Sequence, residues 1–402
     1  MTIEAEDRLG ILSNRRRLKM AGSAHAYVRG NTVNFYEWLK SKGHKLPQGP
    51  PVWICGDCHL GNLGPVASAD GRVRLAIRDF DQTVIGNPVH DLIRLGLSLA
   101  TAIRGSDLPG VTTALVLEQM VKGYEEALIS RKDKQSEFLP DPIKRVLRQA
   151  VRRRWRHLAE ERIEDVEPVI PLGKRFWPLS DEEKAEIEKV FKTAEVRSLI
   201  TSLKDRDKHD KVKIFDAAYW VKGCSSLGRL RFAVLAGVGK RKHRELCLVD
   251  IKEAVSAVAP RYKGSPIPKD YAERVAEGAR TLSPFLGKRM LAWKFLHRSV
   301  VLRELLPQDL KLEMDQLTRD EAISSARFLA SVVGRAHAAQ MDRATKKRWR
   351  SELAKHRSKN LDAPSWLWTS VVELVATHEP AYLEHCREYA IENAKRLGVR
   401  AK

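Results

Sequence analysis

The chain has 402 residues, of which 43% are hydrophobic and 31% charged, a composition typical of a globular protein with a sizeable core. No apolar run approaches the ~18 residues of a membrane span, and the N-terminal stretch lacks the apolar segment of a secretory signal, so we expect a cytoplasmic protein without a membrane span. The net charge of +21 at pH 7 predicts an anionic partner, such as nucleic acid, an acidic surface or a phosphorylated ligand.

In chain order, the apolar spacing first predicts helices over residues 13–42. An apolar strand follows at 52–55, and a hairpin returns along 73–80. A buried helix is predicted for 88–103. Helices then dominate to about residue 200. We therefore assign residues 1–200 to a mainly helical region.

The charged, apolar-poor segment 201–213 marks the clearest boundary in the chain. Strand patterns follow it, and they predict a small antiparallel sheet in a β-rich region over 201–319. Helical periodicity returns at 270–283 and 320–340. The predicted third region, 320–402, consists of helices that pack on the first region.

Five cysteines, an odd number, fit a reducing compartment. Cys55 and Cys58 form a C-x-x-C pattern, which also occurs in redox and zinc sites. Because no second C-x-x-C accompanies it, we interpret both residues as small buried thiols at the end of a strand.

Two basic segments, 152–157 and 343–359, each carry a Trp among the bases. One interpretation is a nucleic-acid-binding surface, in which cations neutralise phosphates and the aromatic ring contacts a base. The other is a solvated helix face whose Trp packs inward, because both segments keep helical apolar spacing.

Two short segments, GDCHLGN at 56–62 and RDFDQ at 78–82, concentrate polar residues beside apolar strands. Their spacing allows one carboxylate to face a hydroxyl nucleophile while amide and carboxylate oxygens hold Mg²⁺. An aspartate base with asparagine and aspartate ligands is the set of groups used in phosphoryl transfer. The candidate catalytic residues are Asp57 and His59, and the candidate metal ligands are Asn62, Asp79 and Asp81.

Each of these residues also has a purely structural interpretation. Asp57 and Asn62 suit a tight turn, Asp79 suits a strand end, and His59 suits a hydrogen-bonded loop. Their occurrence together on one strand–loop–strand unit favours a functional site. Asp91, three residues past Pro88, is expected to bond the loop backbone.

The runs GDCHLGN, IRDFD and GNPVHDL resemble the catalytic segment of aminoglycoside- and choline-kinase-like phosphotransferases. They are more similar still to the bacterial family called domain of unknown function 2252, whose pattern also includes Lys19, Met20, Ser23, Arg29 and Gly30. The resemblance implies that Asp57 is the base or orienting residue and that Asn62 and Asp79 hold metal. It also favours Arg29 as a phosphate ligand. Cys55 stands where the small-molecule kinases carry His, so the loop must be supported by another residue.

A kinase also needs a phosphate-covering loop and a lysine on a neighbouring strand. Segment 221–235 predicts a strand–turn–strand unit whose small residues let backbone N–H groups approach phosphate oxygens. Lys252 lies on the next apolar strand, where a core lysine needs an anionic partner. The resemblance favours Glu273, then Glu277, as that partner, and Arg303 and Lys311 fit loosely as further phosphate ligands. The small residues of the turn are Gly223, Ser225, Ser226 and Gly228.

These observations predict an α+β protein with a protein-kinase-like, two-lobed fold whose lobes are circularly permuted. The expected function is Mg²⁺-dependent phosphoryl transfer from ATP to an unknown hydroxyl-bearing substrate. Transfer of AMP is one alternative. The other is a non-catalytic protein of the same fold that binds nucleic acid or an acidic partner through its basic helices. A separate, purely structural interpretation of the second half is a plain β-sheet with a Gly/Ser hairpin and a solvated Lys252.

Overall fold

The computed structural model describes most of the chain, and the described residues form a mixed α+β fold with antiparallel sheets, as predicted. The described residues are 5–42, 46–105, 108–129, 139–152, 169–203, 206–224, 226–240, 244–309, 317–355 and 364–396. Segment 153–157, Ser225, Lys311 and segment 356–359, which the sequence analysis singled out, lie outside them. None of the helices described is both long and apolar enough to cross a membrane.

The secondary structure follows the chain from helices to strands and back to helices. The helices are α1 (Arg8–Ala21), α2 (Ala24–Gly30), α3 (Thr32–Lys42), α4 (Val89–Arg104), α5 (Val111–Ile129), α6 (Asp141–Arg152), α7 (Asp181–Phe191), α8 (Ala194–Thr201), α9 (Tyr271–Leu282), α10 (Pro284–Gly287), α11 (Arg319–Ala338), α12 (Arg343–Ala354) and α13 (Ser365–Arg396). The strands are β1 (Val52–Ile54), β2 (Leu63–Ala67), β3 (Val73–Ile77), β4 (Val84–Gly86), β5 (Phe176–Trp177), β6 (Val212–Trp220), β7 (Arg231–Val238), β8 (Glu245–Glu253), β9 (Met290–Phe295) and β10 (Arg298–Leu305).

The largest sheet has six antiparallel strands in the order β5-β6-β7-β8-β10-β9. The three strands expected after the charged segment are confirmed as β6, β7 and β8. The β9–β10 hairpin was not predicted. Its turn residues, Leu296 and His297, adopt φ of 45° and 63°, and neither is the Gly, Asn or Asp that usually signals such a turn.

Two small antiparallel pairs, β1–β4 and β2–β3, hold the GDCHLGN and RDFDQ segments. The predicted hairpin is confirmed as β2–β3, with Gly71 at φ +79° in its turn. The buried helix predicted next is confirmed as α4. Helices α4, α5 and α11 enclose these pairs in the first hydrophobic core.

A second core forms where α1, α7 and α8 pack against the six-stranded sheet. It contains Leu12 of α1 together with Ile187 and Ile200 of the two later helices. Strand β5 joins the same sheet at its edge. Residues on both sides of position 201 therefore contribute to this core.

The basic helix α12 turns its aromatic residue inward. Trp349 is 1% exposed, and its indole N–H donates to the hydroxyl of Tyr124 at 3.1 Å. For the described part of this basic segment, the structure therefore agrees with the inward-packing interpretation rather than with a stacking aromatic on a nucleic-acid surface.

We expect Leu12→Ala to lower the free energy of unfolding by about 3 kcal/mol, because it removes apolar contacts between α1 and the second core and leaves a cavity. Chemical denaturation measures this change. Leu18→Ala on the same helix, where Leu18 is 54% exposed, is the matched control and should change the stability by less than about 0.5 kcal/mol. Equal, small effects of the two substitutions would show that α1 does not pack on the sheet as described.

Candidate functional site

The backbone of the GDCHLGN loop is held by a buried carboxylate. Asp91, 0% exposed in the first turn of α4, accepts hydrogen bonds from the backbone N–H groups of Cys55 at 2.7 Å and Gly56 at 2.9 Å. Gly56 has φ +74°, and a Cβ there would lie 2.1 Å from the carbonyl oxygen of Gln82. Only glycine fits this position. The expectation that Asp91 bonds the loop backbone is confirmed.

A chain of buried side chains continues from Asp91 into the helical core. His337 Nε2 lies 3.2 Å from Asp91 Oδ2, and His337 Nδ1 lies 2.9 Å from the hydroxyl of Tyr124. Trp349 donates to that same hydroxyl. A neutral His337 protonated on Nε2 satisfies every link, since Tyr124 then donates to Nδ1 and Asp91 accepts from Nε2. These hydrogen bonds hold the loop in place of the His that Cys55 replaces.

Asp57, the predicted base, forms an ion pair with Arg94. The Arg94 side chain is 0% exposed, and its Nε donates to Asp57 Oδ1 at 2.8 Å while its Nη2 donates to the carbonyl oxygen of Val28 at 2.7 Å. The other carboxylate oxygen, Oδ2, lies 3.8 Å from Nε2 of His59. Asp57 is thus oriented through one oxygen, and Oδ2 faces the imidazole at a distance too long for a hydrogen bond.

Asn62, a predicted metal ligand, is oriented by the same loop. Its side-chain Nδ2 donates to the backbone carbonyl oxygen of Asp57 at 2.8 Å. Its backbone carbonyl oxygen accepts from the backbone N–H of Arg78 at 2.8 Å. Among the described residues, its amide oxygen has no hydrogen-bond partner. The donor end of the amide is therefore used, and the acceptor end is free to bind a cation.

Lys252 reaches from the six-stranded sheet to the RDFDQ segment. Its ammonium lies 2.6 Å from Asp81 Oδ1 and 3.3 Å from both carboxylate oxygens of Asp79. Arg229, after the glycine-containing turn, lies 3.4 Å from the second oxygen of Asp81. The structure thus brings together three predicted site residues from distant parts of the chain.

The two carboxylates beside Lys252 differ in their electrostatic environment. Burial in the cleft opposes ionisation of Asp79, but the Lys252 ammonium, the backbone N–H of Asp81 and the charge of Arg303 together outweigh it and lower the pKa of Asp79. Burial and the negative charge of Asp79 together raise the pKa of Asp81. Two acids therefore share one lysine, and an added cation would relieve their repulsion.

Helix α9 contributes a different residue from the one predicted. Glu273 and Glu277 are both exposed, and the hydrogen bonds and ion pairs that the structure describes for Lys252 go to Asp79 and Asp81 instead. The pairing of Lys252 with either glutamate is thus not formed. The charged residue that is buried in this helix turn is Arg274, which donates to the carbonyl oxygens of Asp81, Thr83 and Val255 and fixes the RDFDQ backbone.

The predicted glycine-containing turn between β6 and β7 is present. Gly223 and Gly228 both have φ +94°, a conformation that favours glycine. The hydroxyl of Ser226 donates to the carbonyl oxygen of Lys222 at 3.1 Å, so it is used within the turn. The carbonyl oxygen of Gly223 accepts from Lys19 at 2.8 Å.

A small pocket lies between the RDFDQ segment and the six-stranded sheet, and its lining residues include Asp79, Asp81, Lys252 and Arg303. The carboxylate that Arg303 contacts is Asp250, at 3.4 Å, two residues before Lys252 on β8. Within the described residues, no cluster of three or more His, Cys, Asp or Glu side chains forms a metal site. A cation here would therefore depend on few protein oxygens.

The fold and these contacts define an α+β protein with an acidic, lysine-bridged cleft beside a tightly held polar loop. The chain matches, over residues 8–388, the family described as an uncharacterised protein conserved in bacteria, domain of unknown function 2252. Because this match covers most of the chain, the protein belongs to that family. No curated protein and no solved structure matches the chain.

We expect Asp91→Asn to lower the free energy of unfolding by about 3 kcal/mol, because one amide oxygen cannot replace two carboxylate oxygens that accept from two N–H groups and His337. Urea denaturation followed by circular dichroism measures the change. Asp141→Asn, at a side chain that is 73% exposed, is the control and should stay within about 0.5 kcal/mol of the native protein. A similarly small effect at Asp91 would contradict the proposed support of the loop.

The pH dependence of stability should report on His59. Burial lowers its pKa to about 3 in the folded protein, whereas the unfolded chain has the ordinary value of about 6.5. Between these values the unfolded state binds more protons, so stability is complete above pH 6.5 and falls as the pH drops. The contribution of His59 to this loss is about 2 kcal/mol between pH 7 and pH 5.

His59→Gln should therefore remove about 2 kcal/mol of the stability loss between pH 7 and pH 5, measured by denaturation at both pH values. His209→Gln, at an exposed residue, is the control and should keep the full loss. An unchanged slope in His59→Gln would mean that this imidazole is not buried in its neutral form.

Proposed function

We propose that the protein is a Mg²⁺-dependent ATP phosphotransferase with a kinase-like, two-lobed fold. The observation that carries the proposal is the reach of Lys252 from the six-stranded sheet to Asp79 and Asp81, which lie 173 and 171 residues away along the chain. A lysine facing carboxylates across a cleft is the arrangement that positions and neutralises the phosphates of a nucleotide.

The lobes would be circularly permuted, with the polar loop first and the nucleotide-covering sheet second. Support comes from the order of the elements, since the β1–β4 and β2–β3 pairs precede β6–β10 in sequence. In this arrangement the glycine-containing turn between β6 and β7 would cover the phosphates, and Lys252 on β8 would contact them. Such a permutation is compatible with folding when the joined ends lie at the surface.

The oxygen groups present fit Mg²⁺, which takes few protein oxygens and completes its shell with phosphate and water. Asn62, Asp79 and Asp81 would hold it, since Asn62 offers a free amide oxygen and the two carboxylates compete for one lysine. When bound, the ion would supply positive charge to the phosphate oxygens.

Asp57 would orient the acceptor hydroxyl and take its proton through the oxygen that Arg94 does not bind. The acceptor oxygen would form the new bond to the γ-phosphorus while the bond to the bridging oxygen of ADP breaks. His59 is neutral at physiological pH because burial lowers its pKa, so it would shield Asp57 from water rather than donate a proton. Positioning and charge neutralisation would account for most of the acceleration.

Asp79→Ala should weaken Mg²⁺-dependent binding of ATP by at least about tenfold, because it removes one charged ligand of the metal–nucleotide pair. Titration of the full chain with a fluorescent ATP analogue, with and without Mg²⁺, measures this. Asp181→Ala, at a fully exposed carboxylate, is the control and should bind as the native protein does. Unchanged MgATP affinity in Asp79→Ala would refute the proposed site.

Phosphoryl and AMP transfer are separated by the position of the label. Label in the γ-phosphate of ATP should reach the acceptor fraction, whereas label in the α-phosphate should remain with ADP. The reverse pattern would establish AMP transfer at the same site.

The alternative function, nucleic-acid binding, has less support from helix α12. Because Trp349 is buried, the described part of this helix offers positive charge but no exposed Trp that could stack on a base.

A further inference from the structure

Helices α1 and α2 carry three neighbouring cations, Arg16, Lys19 and Arg29, that form no ion pair with a carboxylate in the described part of the chain. Arg16 donates to the carbonyl oxygen of Gly30 at 3.1 Å, and Lys19 donates to that of Gly223 at 2.8 Å. Arg29 is half-buried, and its guanidinium makes no hydrogen bond or ion pair to any residue the structure describes. A half-buried guanidinium without a partner is costly unless an anion binds it.

Two glycines let this cluster form beside the GDCHLGN loop. A Cβ at Gly61 would lie 2.4 Å from Nη2 and 2.7 Å from Cζ of Arg29, so the guanidinium packs directly on the loop backbone. A Cβ at Gly30 would lie 2.7 Å from Met20 Cγ and 3.1 Å from the sulfur of Cys224. Helices α1 and α2, the loop and the glycine-containing turn therefore meet at one point.

The electrostatics of Cys224 support this convergence. Burial raises the pKa of the Cys224 thiol, and Arg16, Lys19 and Arg29 each oppose that rise, so all three cations lie near the same sulfur. The acids of the loop region are already paired elsewhere: Asp57 with Arg94, and Asp79 and Asp81 with Lys252. The positive charge at Cys224 is thus not balanced by the carboxylates of the site.

We propose that Arg16, Lys19 and Arg29 form an anion site that binds a phosphate group on the acceptor, which makes the acceptor a phosphorylated small molecule. Three uncompensated cations match a dianionic phosphate monoester better than a single carboxylate. Arg29 contacts Gly61, between Asp57 and Asn62, whereas Lys252 contacts Asp79 and Asp81. This contact places Arg29 beside the proposed base, and we assign the site to the acceptor. Lys19 also contacts Gly223 in the glycine-containing turn, so competition with a nucleotide analogue is the measurement that separates an acceptor site from a nucleotide site. The acceptor identity rests on the proposed function, but the anion site does not.

Inorganic phosphate is the probe, titrated into the full chain by calorimetry with and without saturating Mg²⁺ and a non-hydrolysable ATP analogue. The native protein should bind phosphate in both conditions. Arg29→Gln should weaken phosphate binding by about tenfold or more, because it removes a charge-assisted contact, while the affinity for the nucleotide analogue stays the same. Arg72→Gln, at a side chain that is 69% exposed, is the matched control and should change neither affinity.

Three outcomes would overturn the acceptor site: displacement of phosphate by the nucleotide analogue, a parallel loss of both affinities in Arg29→Gln, or equal weakening by Arg29→Gln and Arg72→Gln. Failure of the proposed function has a different signature. If the native protein does not bind the nucleotide analogue but still binds phosphate in an Arg29-dependent manner, the phosphotransferase proposal fails, the anion site stands and the ligand is not an acceptor.

Discussion

The shape of the polar loop depends on one buried charge. The carboxylate of Asp91 accepts from two consecutive backbone N–H groups and from His337, so a fully buried anion has three donors. It sits in the first turn of α4, where the helix dipole also favours negative charge. Because His337 and Trp349 continue the chain of hydrogen bonds, helices α11 and α12 help to fix a loop that lies about 280 residues before them in sequence.

The two-residue period of a β-strand places Asp250 and Lys252 of β8 on the same face of the six-stranded sheet. Asp250 is neutralised by Arg231 at 2.6 Å and by the more distant Arg303, and these cations outweigh burial and lower its pKa. With Asp250 satisfied by arginines, Lys252 remains available for acids outside the sheet, which are Asp79 and Asp81.

Much of this arrangement could be predicted from the sequence, and the misses have physical causes. The apolar strand pattern located β8 and Lys252, and the hairpin expected along 73–80 is the β2–β3 pair. On α9, the family resemblance selected Glu273 as the partner of Lys252, but Glu273 is exposed. Arg274 is buried instead, because three backbone carbonyls accept hydrogen bonds from its guanidinium. No local signal marks such a partner, since the carbonyls come from segments distant in sequence. The Asp91–His337 link could not be predicted for the same reason.

The N-terminal helices contact both halves of the molecule, and their two contacts on the side of the six-stranded sheet differ in strength. Arg8 forms a buried ion pair with Glu183 at 2.7 Å on the side of the six-stranded sheet, whereas Lys19 holds the glycine-containing turn through one exposed hydrogen bond to Gly223. A buried charged pair is costly to break, while an exposed hydrogen bond contributes about 1 kcal/mol or less. Movement of the turn relative to the loop would therefore break the Lys19 contact first and leave α1 attached to the sheet. Arg29 would stay with Gly61 in such a movement, because Arg94 ties α2 to Asp57 through the carbonyl of Val28.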